Sequence, residues 1–340
     1  MPAAPSFWAE SAGILANLLL PVGAAWDSVG RLRRALARPY CPPVPVICIG
    51  NLVAGGAGKT PVALGVTDHL AARGLNVHIV TRGYGGRLAG PVRVDPGCHN
   101  ASAVGDEALL LAAGASCWVA RDRAAGVRAA VADEAAIVLI DDGFQNPAVA
   151  KTLSLLVVDA AYGFGNRRVI PAGPLREEIG RGLARADALV LLGDEAVADS
   201  ADTLRIGREL PVYTAVLAPI AGERLAGSRL FAFAGIGRPE KFFASLRSLG
   251  AELVGTRTFP DHYPFRDAQI TELRRVAEQA RARLVTTAKD ILRVPAASRV
   301  GIEVLDVEIR WNDPAALREF FRPVVLSASS DGRDRVDRRH

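Results

Sequence analysis

Apolar residues recur along this chain in short runs of strand length, and stretches of helical spacing fall between them. The runs at 44–49, 77–80, 117–120, 137–140, 153–158 and 188–192 predict strands. The stretches at 60–73, 106–113 and 121–133 predict helices. Such alternation predicts an α/β fold: a mostly parallel sheet with helices on both faces. A second series begins near Arg229, with strands predicted at 230–234, 252–259, 284–287 and 302–307. Its helices are predicted at 239–249, 267–283 and 314–321. Pro219, Gly222 and Gly227 loosen the pattern between about Thr214 and Arg229, so a boundary is expected there. The expected division is 1–38, an N-terminal helix with a basic segment; 39–222, the first domain; 223–326, a smaller α/β domain; and 327–340, a polar tail expected to be disordered.

The N-terminal pattern differs from the rest. Residues 11–26 carry no charge and are rich in Ile, Leu and Ala. As a helix they span about 24 Å, short of the roughly 30 Å of a hydrocarbon core. Trp8 and Trp26 flank the run, and Arg31, Arg33, Arg34 and Arg38 follow it. This predicts a helix that dips into one leaflet, with arginines on the headgroups. No Lys or Arg precedes the run, which argues against a signal peptide.

Candidate chemistry starts at Val46 to Pro61, VICIGNLVAGGAGKTP. A strand pattern ends in a glycine-rich loop and a helix pattern follows, the context of a phosphate-binding P-loop. Gly55, Gly56, Ala57, Gly58, Lys59 and Thr60 are the expected nucleotide-binding residues. Backbone N–H groups of such a loop point at phosphate oxygens. Lys59 is expected to reach the β- and γ-phosphates and Thr60 to hold Mg²⁺. The strict pattern asks for Gly where Val53 stands. Only Lys59, Lys151, Lys241 and Lys289 are lysine among 41 Lys+Arg, so an Arg-rich chain keeps Lys at the loop. Four apolar residues, Ile137 to Ile140, run into Asp141 and Asp142. Acids at the end of a buried strand are how P-loop enzymes place a Mg²⁺ ligand.

A net charge of +5 suits anionic partners. No nucleic-acid-binding motif stands out and aromatics are only 6%, so a phospholipid surface is favoured over nucleic acid. Cys41, Cys48, Cys98 and Cys117 show no metal-ligand spacing and read as reduced thiols.

Further segments place polar residues, Gly and Arg at strand ends: TRGYGG from Thr81, VGDE from Val104, ARDR from Ala120, DDGFQ from Asp141 and GPLRE from Gly173. FAGIG from Phe233, FPDHYPF from Phe259 and TTAKD from Thr286 complete the series. In this order, with GNLVAGGAGKTP ahead of them, the chain resembles the lipid A 4′-kinase (tetraacyldisaccharide 4′-kinase) family up to about residue 322. The resemblance implies an ATP- and Mg²⁺-dependent kinase that phosphorylates the 4′-hydroxyl of the disaccharide precursor of lipid A. It implies two α/β/α sandwich domains facing a cleft, and a peripheral or monotopic place on the cytoplasmic face of the inner membrane. By the same resemblance Asp106 is the base for the sugar hydroxyl and His262 its partner, with Lys59 at the transferring phosphate. Arg121, Gln145, Arg176 and Glu177 match positions linked to substrate and site organisation, and Asp141 and Asp142 match the acidic metal pair. The chain departs from the family pattern at Val53, at Asn146 (usually His) and at Arg238 (usually Asn). No obligate protein partner is implied. The alternative readings are a membrane-associated P-loop NTPase switch without a lipid acceptor and a non-catalytic nucleotide-binding module. A guanine-reading switch would need N-K-x-D, and Ala288-Lys289-Asp290 lacks it.

Overall fold

The computed structural model describes residues 5–8, 13–193 and 210–337. Glu10, Ser11 and the last three residues of the tail lie outside the described residues. Helices α1 (Ile14–Leu18) and α2 (Leu20–Ala35) precede strand β1 (Val46–Gly50). Then come α3 (Lys59–Ala71), β2 (Val77–Thr81), β3 (Val92–Arg93), α4 (Ala101–Val104) and α5 (Asp106–Gly114). They are followed by β4 (Ser116–Val119), α6 (Arg123–Ala132), β5 (Ile137–Asp141), β6 (Leu153–Asp159), α7 (Ile179–Leu183), β7 (Ala188–Leu192) and β8 (Val212–Pro219). The second series is β9 (Arg229–Ala234), α8 (Pro239–Ser248), β10 (Glu252–Thr258), α9 (Asp267–Gln279), β11 (Arg283–Thr287), α10 (Ala288–Ile291) and β12 (Ile302–Leu305). Strand β13 (Val307–Trp311) and helix α11 (Pro314–Asp337) end the described chain.

The strands form two sheets, of nine in the order β13-β8-β7-β6-β1-β5-β2-β4-β3 and of four in the order β10-β9-β11-β12. Only β13–β8 and β3–β4 pair antiparallel; the other named pairs are parallel. Every residue of β1, β2, β5 and β7 is buried. That burial explains why β1 and β7 read as unbroken apolar runs, since helices cover both faces of a parallel sheet, while β2 also buries His78 and Thr81 and β5 ends in Asp141. Strand β1 lies between β5 and β6. From it the chain first winds one way and then the other. Ligand crevices of open α/β sheets open at such a reversal, beyond the carboxyl ends of the strands.

The structure departs from the pattern in four places. Strand β8 occupies much of the expected boundary, and β3 was not anticipated. The expected strand 302–307 is two strands, β12 in the small sheet and β13 in the large one. The second lobe is thus inserted into the first, which a boundary at 222–223 does not express. Its two connections touch: Ile220 N–H donates to Asp306 C=O at 3.0 Å. The tail is not disordered from residue 327, because α11 continues to Asp337. Leu317, Phe321, Val324 and Ala328 bury one side of this helix in the core of the large sheet, which holds it in place despite Pro323.

At the N-terminus Pro21 sits at the start of α2 and divides the apolar run into two helices. One side of α2 packs on the protein: a Cβ on Gly23 would lie 2.9 Å from Val169 C=O. Asp27 is buried and pairs with Arg181. Ile14, Leu15, Leu18, Val22, Trp26, Val29, Leu32 and Leu36 are exposed. No described helix is long and apolar enough to cross a membrane.

Candidate active site

The glycine-rich loop lies between β1 and α3, at the point where the winding reverses. Gly55 (φ +115°) and Gly58 (φ +81°) take backbone conformations that favour glycine. Lys59 is the first residue of α3 and Thr60 the second. The loop is braced by GPLRE: Ala54 N–H donates to Pro174 C=O and Arg176 N–H to Leu52 C=O, both at 2.7 Å. Val53 is buried in that brace, where it bridges Leu175. Asn51 is fully buried, and its amide donates to Val53 C=O at 2.7 Å and accepts from Lys59 Nζ at 3.2 Å.

Strand β5 delivers the two acids beside this loop, and they differ. Asp142 accepts from both guanidinium nitrogens of Arg176, at 2.8 and 3.3 Å, and lies 3.6 Å from Lys59 Nζ. Burial opposes its ionisation, but Lys59 and Arg176 outweigh that and hold its carboxyl below the usual range. Asp141 is buried, and its Oδ2 accepts from Thr81 at 3.4 Å. Its Oδ1 has no hydrogen-bond partner among the described residues. Burial, with the charges of Glu107 and Asp142, pushes Asp141 up to about 7. An orphaned carboxylate oxygen among other carboxylates fits a divalent cation, which would satisfy the oxygen and offset the crowding. Asp142 fits that role less well, because both its oxygens already face cations of the chain.

Gln145, Arg176 and Glu177 form a network behind the loop. Gln145 donates to Asn51 C=O at 2.9 Å and to Glu177 Oε1 at 3.1 Å, and accepts from Arg176 at 3.3 Å. Glu177 is buried and also meets Arg185 and, at 3.3 Å, Arg34 of α2. Arg34 therefore grips the protein, contrary to the expectation that the whole basic cluster faces headgroups. Asn146 is a loop residue: its side chain accepts from Ala148 N–H at 2.9 Å, and Lys151 donates to its carbonyl, also at 2.9 Å.

Asp106 begins α5, and the second lobe reaches it. His262 Nδ1 and Asp106 Oδ2 are 3.1 Å apart. Arg293 Nε is also 3.1 Å from that oxygen, but its N–H is not aimed at it, so this contact is one of charge alone. Lys289 donates to Glu107 at 2.9 Å. Burial works against the Asp106 charge, but the His262 hydrogen bond, Lys289 and Arg293 prevail and hold it below the usual carboxylate range. His262 has φ +59° and packs on Tyr84 with ring centroids 5.1 Å apart, which fixes its ring.

Arg121 is exposed and holds the TRGYGG loop, donating to Gly86 C=O and Arg87 C=O at 3.3 and 3.4 Å. The residue that turns inward is Arg123, which is buried, with an unpartnered Nε and the charges of Asp141 and Asp142 nearby. Sequence reasoning missed Arg123, Glu107, Lys289 and Arg293. The signal for Arg123 was Asp122, whose side chain accepts from Ala124 N–H and Ala125 N–H and so caps α6.

A glycine-rich loop between a central parallel strand and a helix, with a buried acid on the adjoining strand, defines a P-loop protein of the nucleotide-hydrolysing and phosphoryl-transferring class. The family model described as Tetraacyldisaccharide-1-P 4'-kinase matches residues 15–325. The chain is 51% identical over 335 residues to the tetraacyldisaccharide 4'-kinase of Rhodospirillum centenum, covering 97% of this chain and 98% of that one. It is 48% identical over 326 residues to the enzyme of that name from Parvibaculum lavamentivorans, covering 94% and 93%. The crystal structure of LpxK from Aquifex aeolicus in complex with ATP superposes with a TM-score of 0.75 at 24% identity, covering 92% of this chain and 100% of that one. The chain belongs to the tetraacyldisaccharide-1-P 4'-kinase family.

Proposed function

We propose that the protein transfers the γ-phosphoryl group of ATP to the 4′-hydroxyl of a tetraacyldisaccharide 1-phosphate, the precursor of lipid A. The observation that carries the reading is Asp106, buried, kept ionised and held against His262 of the other lobe. A nucleotide switch needs no base for an acceptor alcohol, whereas a kinase does.

The residues divide the work. The loop 55–58 and the start of α3 cradle the phosphates through backbone N–H groups. Lys59, released from Asn51, neutralises charge on the transferring group. Asp106 accepts the proton of the attacking hydroxyl, and His262 orients it and shares that proton. Thr60 and Asp141 would hold Mg²⁺, which when bound supplies charge neutralisation on the phosphate oxygens. Arg176 and Gln145 keep Asp142 and the loop in place. Because Asp106 and His262 lie on separate lobes, the pair forms only when the cleft is closed, which limits hydrolysis by water.

The exposed apolar side of α1 and α2 supports docking on anionic phospholipids, at the cytoplasmic face of the inner membrane, without a spanning helix. There the acyl chains of the substrate stay in the bilayer while its sugar enters the cleft. The test is transfer of radiolabelled γ-phosphate from ATP to the tetraacyldisaccharide 1-phosphate in detergent. Labelled lipid is expected. Nucleotide hydrolysis that is equal with and without the lipid, with no lipid labelled, would overturn the reading.

A further inference from the structure

Arg238 lies at the start of α8, in the second lobe, yet its side chain reaches the first. Its guanidinium is 2.5 Å from Asp159 Oδ2, at the end of β6, and stacks over the Tyr162 ring at 4.5 Å from the centroid. Lys241, one turn further along α8, pairs with the same carboxylate oxygen. Together Gly55, Gly56, Ala57, Asp159, Tyr162 and Arg238 line a crevice on the glycine-rich loop.

Among the described residues the charges there do not balance: one buried carboxylate, Asp159, faces two cations, which leaves a surplus positive charge beside a loop built to receive anions. Arg238 is also free to leave at low cost. Lys241 keeps Asp159 neutralised when Arg238 turns away, so no buried charge is abandoned. The planar guanidinium suits two phosphate oxygens at once.

We propose that Arg238 is a nucleotide-binding residue, carried by the second lobe onto the polyphosphate chain of ATP, which it takes in exchange for Asp159. The proposal rests on the reading that the glycine-rich loop binds ATP. On binding, Arg238 moves from Asp159 to phosphate oxygens.

The experiment is calorimetric titration of the full-length protein with ATP and, separately, with inorganic tripolyphosphate. Arg238→Ala is expected to weaken both about ten- to hundredfold, the range for a charged hydrogen bond. Arg238→Lys is expected to recover part of the loss. Asp159→Asn removes the competitor and is expected to leave both affinities unchanged or tighter. Equal losses from Arg238→Ala and Asp159→Asn would make the pair a latch between lobes and overturn the proposal. So would an Arg238→Ala loss confined to ATP, which would put the contact on the nucleoside. Wild-type protein that binds neither probe would instead refute the reading of the loop itself. Melting temperatures within a few degrees of wild type confirm that the variants are folded.

Discussion

Asp106→Asn isolates the charge of the proposed base with little change of shape. Asparagine keeps an oxygen that can accept from Glu107 N–H, as Asp106 does at 3.0 Å. It loses the charge that His262 and Arg293 face. General-base catalysis contributes about 10²–10⁴-fold, or roughly 3–5 kcal/mol at 1.36 kcal/mol per decade. The kcat of Asp106→Asn is expected to fall by that factor, with the ATP dissociation constant within about threefold of wild type. His262→Ala should fall by a similar order, and the double variant should be little worse than the poorer single, because groups that act as a unit lose together. Stability has its own signature. The folded carboxyl titrates below its unfolded value, so its contribution is present above the unfolded pKa and is lost as pH falls through the folded one. Arg293 keeps Asp290 at 2.7 Å, so the loss at neutral pH is expected to be modest, about 1–2 kcal/mol rather than the larger cost of stranding a buried charge. The assays are single-turnover phosphoryl transfer, nucleotide titration, and thermal melts at pH 7 and near pH 3. A kcat within tenfold of wild type, or fully multiplicative losses in the double variant, would refute the assignment of Asp106 and His262 as a coupled pair. The melting difference between wild type and Asp106→Asn should shrink in acid; a constant difference would mean the charge does not stabilise the fold.

Other expectations concern separate parts of the molecule. Lys59→Ala should lower kcat on the order of 10³-fold; single-turnover rates within tenfold would exclude Lys59 from the transferring phosphate. Replacing Leu18, Trp26 and Leu32 together with Glu should abolish sedimentation with anionic vesicles and leave the melting temperature unchanged, since all three are exposed. Undiminished sedimentation would place the docking surface elsewhere. Gly65→Ala would put a methyl 1.9 Å from Ile309 Cγ2, where α3 crosses β13, and should cost about 1–3 kcal/mol in denaturant unfolding. An unchanged midpoint would contradict that packing.

The central strands and the loop were legible because one residue type serves one purpose there. Fully buried parallel strands are mostly apolar, and the loop must combine Gly with Lys59 and Thr60. Much less legible was where a strand goes once formed. β12 and β13 read as one run, because Val307 continues the apolar spacing although Asp306 marks the crossing between sheets. The end of α11 looked like a disordered tail because beyond Phe321, among the described residues, only Val324 and Ala328 are buried in the core, with Val325 partly buried against it. Side-chain direction was hardest. Arg121 and Arg123 differ by two positions, and only the cap at Asp122 decides which one enters the site. The contacts of Arg293 with Asp106, Lys289 with Glu107 and Arg238 with Asp159 join residues far apart in the chain, and no local pattern encodes them.

The hydrogen bond between Ile220 and Asp306 has a mechanical consequence. The chain enters the second lobe and leaves it side by side, so the lobe hangs on two adjoining strands instead of a single tether. Two attachments at one edge permit swinging about that edge and resist twisting about the long axis. Arg238 and His262 ride on the same lobe, so a swing of that lobe away from the first carries both from their sites together. Spent nucleotide and phosphorylated lipid would leave through one opening, in a single stroke, and an enzyme so hung cannot expose its acceptor site while keeping the nucleotide shut in.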